Sequence, residues 1–373
     1  MQLQSSFAGF LRCPIPIVGL FLLWPCFVRG TEPAALPLES PLPWQVIQRE
    51  GYDPRETHPH AVGGPKLGSG RIRIAGKFPA GKLQVRVLKA DTTPETVVRD
   101  WSEPETVAGE RHVTVPAGGW YQVDVRVLEG DSAVAQGSVK PVGIGEVFVI
   151  AGQSYAAGAN DEHLRVDEPV QVARYDPVKK IWEPAHDPQP NVDTGGTIWP
   201  AFANALQPIV QVPVGLVNVA SGGTASRQWM PGSTLYENLE RAGTTLGRFR
   251  AVLWQQGESD VIENIDTQTY VKRLVLIRTS LAKTWGLEPP WLLAKSTMHP
   301  TVYNEPAKEH QIRAAIDALW ERPGFRPGPD TDLLAGENRG GIGSRRHFTG
   351  IGQRRAGMMW FAAVWNEMQR RAP

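Results

Sequence analysis

From residue 145 onward, short apolar runs alternate with longer amphipathic stretches, a pattern that few folds satisfy. The runs at 146–150 (EVFVI), 214–219 (VGLVNV), 251–254 (AVLW) and 291–294 (WLLA) have strand length, and a shorter one follows at 332–334 (DLL). An apolar run with no polar face suits a strand buried on both sides, as in a parallel sheet. Helical spacing fills the intervals at 267–285, 305–320 and about 349–370. In the last of these, Ile351, Met358, Phe361, Trp365 and Met368 recur at helical spacing, and Thr349 stands where an N-cap is expected. Strand–helix alternation predicts an α/β domain whose parallel sheet is covered on both faces. Ligands in such folds bind at the carboxyl ends of the strands, so the residues after each strand carry the functional information.

The front of the chain has another texture. Between 44 and 142, period-two runs such as 71–75 (RIRIA), 83–88 (LQVRVL) and 120–127 (WYQVDVRV) lie between Gly and Pro turns and predict a small β-sandwich. Residues 31–43, rich in Pro, Ala and Leu, read as a linker. Residues 1–30 read as a signal peptide: Arg12 precedes an apolar stretch, 13–28, that is too short and too proline-interrupted to span a bilayer. Both cysteines, Cys13 and Cys26, fall there, so the exported chain would carry neither a disulfide nor a thiolate nucleophile. Loss of Arg12 and Arg29 with that segment takes the formal charge from +1 to −1. A charge so near zero gives no steering toward nucleic acid or an anionic membrane. His58 and His60 form a pair without further ligands, and the eight histidines show no metal-binding string, so neither a metal nor a cofactor is expected.

Four strand ends carry chemistry. Gly152-Gln153-Ser154 puts a hydroxyl on a small-residue turn, where a nearby backbone N–H can face the same point. Gly222 and Gly223 allow close backbone approach to a ligand. The string 254–260 (WQQGESD) offers the Gln256 amide and the Glu258 carboxyl. His347, just ahead of the last helix, supplies an imidazole able to take a serine proton.

Together GQS, GGT, WQQGESD and His347-Phe348 resemble the SGNH-hydrolase superfamily, and within it the sialate O-acetylesterase and acetylxylan-esterase branch. The similarity runs from about residue 143 to the carboxyl end, giving an esterase domain at 143–373 behind the sandwich at 44–142. It implies a flavodoxin-like three-layer α/β/α domain that removes acetyl groups from sugars without a cofactor. It also implies Ser154 as nucleophile and His347 as general base. The oxyanion hole would be formed by the N–H groups of Ser154 and of the Gly222/Gly223 turn together with the Gln256 amide. Two positions depart from the pattern: Tyr155 stands where many relatives have Asn, and Ser344 where the triad acid is often found, three residues before the histidine. Glu258 is the first choice of substitute, Asp332 the second, and an absent acid the third. Loss of an orienting acid lowers rates by on the order of 10⁴.

For substrate contact the candidates are Gln153, Tyr155, Trp199, Arg227 and Trp229. Aromatic faces would suit sugar rings, and Arg227 a substrate carboxylate. Near-neutral charge leaves sialic acid unfavoured over a neutral acetylated polysaccharide. The alternative is a catalytically weakened glycan-binding protein of the same fold. Oligomeric state is not legible.

Overall fold

One long strand, Ser132–Gly152, organises the computed structural model. Residues 32–54, 66–90, 92–106, 109–190, 193–298, 305–340 and 347–370 are described. The segment read as a signal peptide, with Cys13 and Cys26, the His58/His60 pair and Ser344 lie outside them.

The carboxyl half of that strand is the centre of a parallel sheet. On one side it pairs with Val214–Asn218, which pairs with Val172–Asp176 and then, antiparallel, Ile181–Pro184. On the other side come Ala251–Gln255, Trp291–Lys295 and Phe325–Asp330, all parallel. The strand order reverses at the Ser132–Gly152 strand, which puts the ligand crevice of an open α/β sheet beyond Gly152.

Alternation along this strand builds two cores. Phe148 and Ile150 face Trp199, Phe202 and Leu206 of the helix Trp199–Val210 and Trp360 and Val364 of the helix Gly350–Arg370. Val147, Val149 and Ala151 face the helices Thr234–Leu246, Thr267–Trp285 and Pro306–Trp320 through Leu239, Leu274 and Ile316. Each fully buried Leu, Ile, Val or Phe contributes ~1.5–3 kcal/mol, so a sheet apolar on both faces holds three layers together. The α/β architecture predicted from the sequence is the one observed.

The amino half of the same strand runs antiparallel to Gly119–Glu129 and crosses position 142/143 without a break. Gly119–Glu129 pairs in turn with Lys82–Lys89. A second sheet, of Leu38–Ser40, Ser69–Gly76 and Arg111–Pro116, closes over it, with Ile72, Ile74 and Val115 in one core with Val85, Val87 and Val123. The segment read as a linker contributes two short strands: Ala34–Ala35 lies beside Ala135 and Gln136, and Leu38–Ser40 beside Gly76 and Ala75. Their pairing is imposed by neighbours, not by local alternation.

Two further readings are corrected. Residues 331–333 form a 3-10 turn, not a strand, and the last strand is Phe325–Asp330. Pro327 and Pro329 disguise it; they are tolerated because this edge strand has a single neighbour. In the last helix Ile351 and Met358 are half exposed, at 50% and 52%. The buried stripe is Gly352, Ala356, Gly357, Trp360, Val364 and Met368, whose small residues let the helix press onto the helix Trp199–Val210.

A buried ionic knot ties front to back. Glu146, fully buried at the entry to the central sheet, accepts from Arg49 (2.7 Å), Arg250 (2.6 and 2.9 Å) and Gln48 (2.9 Å). Burial pushes the carboxyl pKa up, but Arg250 and Arg49 outweigh it and hold it below its ordinary value. A depressed folded-state pKa gives stability that is present at neutral pH and is lost as pH falls through the folded value. Glu146→Gln leaves Arg49 buried against a neutral amide and should lower unfolding free energy by ~3–5 kcal/mol in urea titrations at pH 7. The gap to wild type should narrow in acid; an unchanged midpoint at pH 7 would contradict this account of the knot.

Candidate active site

The strand Ser132–Gly152 ends at Gly152, whose positive φ and contact with the Gln255 carbonyl leave no room for a Cβ. The ends of the two central strands therefore lie flush. Gly152 O accepts from Ser221 N (2.9 Å), drawing in the turn that carries Gly222 and Gly223. Thr224 Oγ1 closes that turn on Ser221 O (2.8 Å), and Trp229 Nε1 holds Thr224 Oγ1 from below (3.0 Å). Ser154 opens the single helical turn Ser154–Ala157. It is 4% exposed, and its Oγ has no hydrogen-bond partner among the described residues.

Under the serine lies a buried polar cluster. Gln153 Oε1 accepts from Gln256 Nε2 (3.2 Å), Ser259 N (3.2 Å) and Gly257 N (3.4 Å). Gln256 Nε2 also lies 3.1 Å from Thr224 O and 2.6 Å from Asp260 Oδ2, while Gln256 Oε1 accepts from Tyr270 (3.0 Å). Asp260 accepts in addition from Ser226 N (2.7 Å) and Ser226 Oγ (2.5 Å), with Arg273 at 3.3 Å. The Gln256 amide hydrogens are thus engaged with the protein, and an oxyanion would have to compete for them. Asp260, unassigned from sequence, is the anchor of the cluster.

His347 is brought to the same strand end by a second set of contacts. Its ring lies 5.2 Å from that of Tyr155, the residue after Ser154, and Phe348 packs on Tyr155 at 4.6 Å. Asn160 fastens the two segments: Nδ2 donates to Tyr155 O and Gly196 O (both 3.0 Å), and Oδ1 accepts from Phe348 N (3.1 Å). Arg339 caps the arrangement, its guanidinium 4.8 Å over Tyr155 and 4.6 Å over Phe348, bonded to the Tyr155 hydroxyl and to Leu334 O and Thr331 O. Neither Asn160 nor Arg339 carries a sequence signal, because their partners are backbone groups, ring faces and a hydroxyl that no local pattern announces.

The two acid candidates have different surroundings. Asp332 accepts from Thr297 N (2.8 Å), Thr297 Oγ1 (2.7 Å), Met298 N (3.2 Å) and Arg313 (2.7 Å), so it is occupied in holding the exit of the strand Trp291–Lys295. Glu258 is fully buried; Oε1 accepts from Ser296 Oγ (2.6 Å), and Oε2 has no partner among the described residues. Burial raises its pKa to about 8, with Asp332 adding to the rise and Arg339 opposing it.

The substrate-contact expectations need correction. Trp199 and Trp229 are fully buried, Trp199 donating to Ala156 O (2.8 Å) and leaning on Trp360, Trp229 set edge-on to Trp254. Neither offers a face to a sugar. Tyr155 is likewise buried beneath Arg339, and Gln153 is spent in the polar cluster. Arg227 is exposed but engaged by Glu263 at 2.9 Å. Among the described residues no group of three or more His, Cys, Asp or Glu could hold a metal.

Residues 144–365, more than half of the chain and containing Ser154, the Gly222/Gly223 turn, Glu258 and His347, match the family described as carbohydrate esterase, sialic acid-specific acetylesterase. The chain belongs to that family. The chain is 35% identical over 156 residues to a probable carbohydrate esterase of Arabidopsis thaliana, a match covering 35% of this chain and 60% of that protein. The chain thus spans less than two thirds of that relative's length. The crystal structure of a carbohydrate acetylesterase from Xanthomonas citri superposes with a TM-score of 0.53 at 17% identity, over 87% of this chain and 74% of that one. An X-ray structure from Arabidopsis thaliana gives 0.49 at 23% identity, over 60% and 99%. The fold is that of the SGNH-type esterases.

Two measurements probe the site's construction. Asn160→Ala should lower kcat by ~10²-fold with little change in KM, since it displaces the His347 segment relative to Ser154 without touching substrate; equal changes in both constants would contradict a positioning role. For Glu258, both folded and unfolded chains are protonated below about pH 4.5. Between there and about 8 only the unfolded chain ionises, so stability falls with pH across that window. Glu258→Gln should remove this slope and raise stability by ~1–3 kcal/mol near pH 7.5 in urea unfolding. Parallel wild-type and variant curves from pH 4 to 9 (roughly the span that brackets both values) would show a carboxylate already ionised.

Proposed function

We propose that this carbohydrate esterase is a serine O-acetylesterase acting on acetylated sugars through an acetyl-enzyme at Ser154. The observation that carries this reading is a buried, unpartnered Ser154 hydroxyl on a strand-end turn, with the imidazole-bearing segment packed on the very next residue. A hydroxyl buried without a hydrogen bond is a free-energy penalty, which a fold retains where the group reacts.

In the proposed reaction His347 accepts the Ser154 proton as Oγ bonds to the acetyl carbonyl carbon. The tetrahedral oxyanion is stabilised by the N–H groups of Ser154 and Gly223, the Gly222 N–H being directed to Asp193. The carbon–oxygen bond to the sugar then breaks, and the sugar oxygen takes the proton from His347. Water attacks the acetyl-enzyme, giving its proton to His347; acetate departs and Ser154 regains its proton. Gln256 fixes the walls of the oxyanion site through Gln153 and Asp260. Residues 1–30 act as an export signal, placing the esterase among extracellular or periplasmic glycans.

Acetate release from aryl acetate and from acetylated sugars tests the roles. Ser154→Ala and His347→Ala should each lose on the order of 10³–10⁶-fold in kcat, and the double variant no more than the worse single one. Ser154→Ala at wild-type rate would remove the acetyl-enzyme route.

A further inference from the structure

One carboxylate beside the proposed reaction centre has no part in these steps. Asp193 stands over Gly222: a Cβ built on that glycine would lie 2.7 Å from Oδ2, 3.1 Å from Oδ1 and 3.3 Å from Cγ. On its other side the Asp193 carbonyl lies 3.4 Å from the place of a Cβ on Gly158, at the end of the turn Ser154–Ala157. Asp193 therefore bridges the gap between the serine turn and the glycine turn.

The segment that follows it is firmly held. Thr194 O is 2.8 Å from His163 Nε2, Gly196 N donates to Asn160 O (2.8 Å), and Thr197 N and Oγ1 bond Asp187 (2.8 and 2.7 Å). Gly196 is also held by Asn160, the residue that fastens the His347 segment. The carboxylate is thus located by the same scaffold as the serine and the histidine.

Its oxygens are poorly served by the protein. Oδ2 is buried and has no hydrogen-bond partner among the described residues. Burial pushes the Asp193 pKa up, and the Gly222 N–H only partly opposes this. A buried acceptor lacking a donor is unfavourable by itself, so it contributes nothing to stability that would account for its position. A donor arriving with the substrate would relieve the penalty. Sugar hydroxyls next to the reacting ester are such donors, whereas a second carboxylate is a like charge. Arg227, the cation that could have received a substrate carboxylate, is engaged by Glu263.

We infer that Asp193 is a specificity-determining residue of this esterase: it accepts a hydrogen bond from a free hydroxyl of a neutral acetylated sugar and repels acidic sugars from the same place. The inference rests on the acetylesterase reading, and it assigns the substrate class within it. Selectivity arises from both parts, a donor welcomed and a like charge rejected.

The test compares kcat/KM for an acetylated neutral xyloside with that for an O-acetylated sialic acid, in wild type, Asp193→Asn and Asp193→Glu. Wild type should prefer the neutral ester. Asp193→Asn should shrink that preference by about tenfold or more, because it removes the repulsion between like charges across a partly buried gap. Asp193→Glu, which keeps the charge, should retain most of the preference. A preference for the neutral ester that is equal in wild type and Asp193→Asn would overturn the inference, as would a wild-type preference for the sialic ester. Should Asp193→Asn fail to fold, Asp193→Ser is read in the same way. Ser154→Ala run alongside separates the two levels: rates independent of Ser154 defeat the esterase mechanism, while Ser154-dependent rates with an unmoved preference defeat only the role of Asp193.

Discussion

The site depends on a buried amide-to-amide contact, Gln256 Nε2 with Gln153 Oε1, continued to the Asp260 carboxylate. Gln153 immediately precedes the serine, Thr224 closes the glycine turn, and Glu258 and Asp260 lie on the helix after the neighbouring strand, Glu258–Ile262. Two hydrogens on one nitrogen thus fix three strand ends against one another. In a low-dielectric interior such bonds are strong when complete and a partly satisfied network is worse than none, so the cluster tolerates little displacement. Asp260 is affordable there only because Ser226, Gln256 and Arg273 surround it.

The histidine side is assembled by different physics. Its segment is seated by aromatic packing of Phe348 and Tyr155, a guanidinium lid from Arg339, and the Asn160 amide. Backbone groups and ring faces supply the contacts, and the Ser154 hydroxyl keeps no hydrogen-bond partner among the described residues. The ionic knot at Glu146 plays the corresponding part farther back along the same strand, where the front sheets join the central one.

Much of this was legible in the sequence. Runs such as EVFVI and AVLW are apolar on both faces because helices cover both faces, so their type and order could be read directly. That the residues after the strands gather at one place followed from the geometry of parallel sheets. What residue type does not encode is accessibility. Trp199 and Trp229 look like sugar platforms in sequence and are core in the fold. The strand Phe325–Asp330 hid behind two prolines that only an edge position allows, and the strands at 34–40 exist because other strands recruit them. Asn160, Asp193 and Arg339 were invisible for a related reason: each works across long sequence separations through a partner no local pattern announces.

The account turns on an acyl group passing through the Ser154 oxygen. Its most direct test is acid quenching of the esterase during turnover of an acetylated sugar, followed by peptide mass spectrometry. The account predicts one acetyl group on the peptide containing Ser154, appearing within the first turnover and absent after exhaustion of substrate. Sustained acetate release with that peptide unmodified at every time point would contradict it.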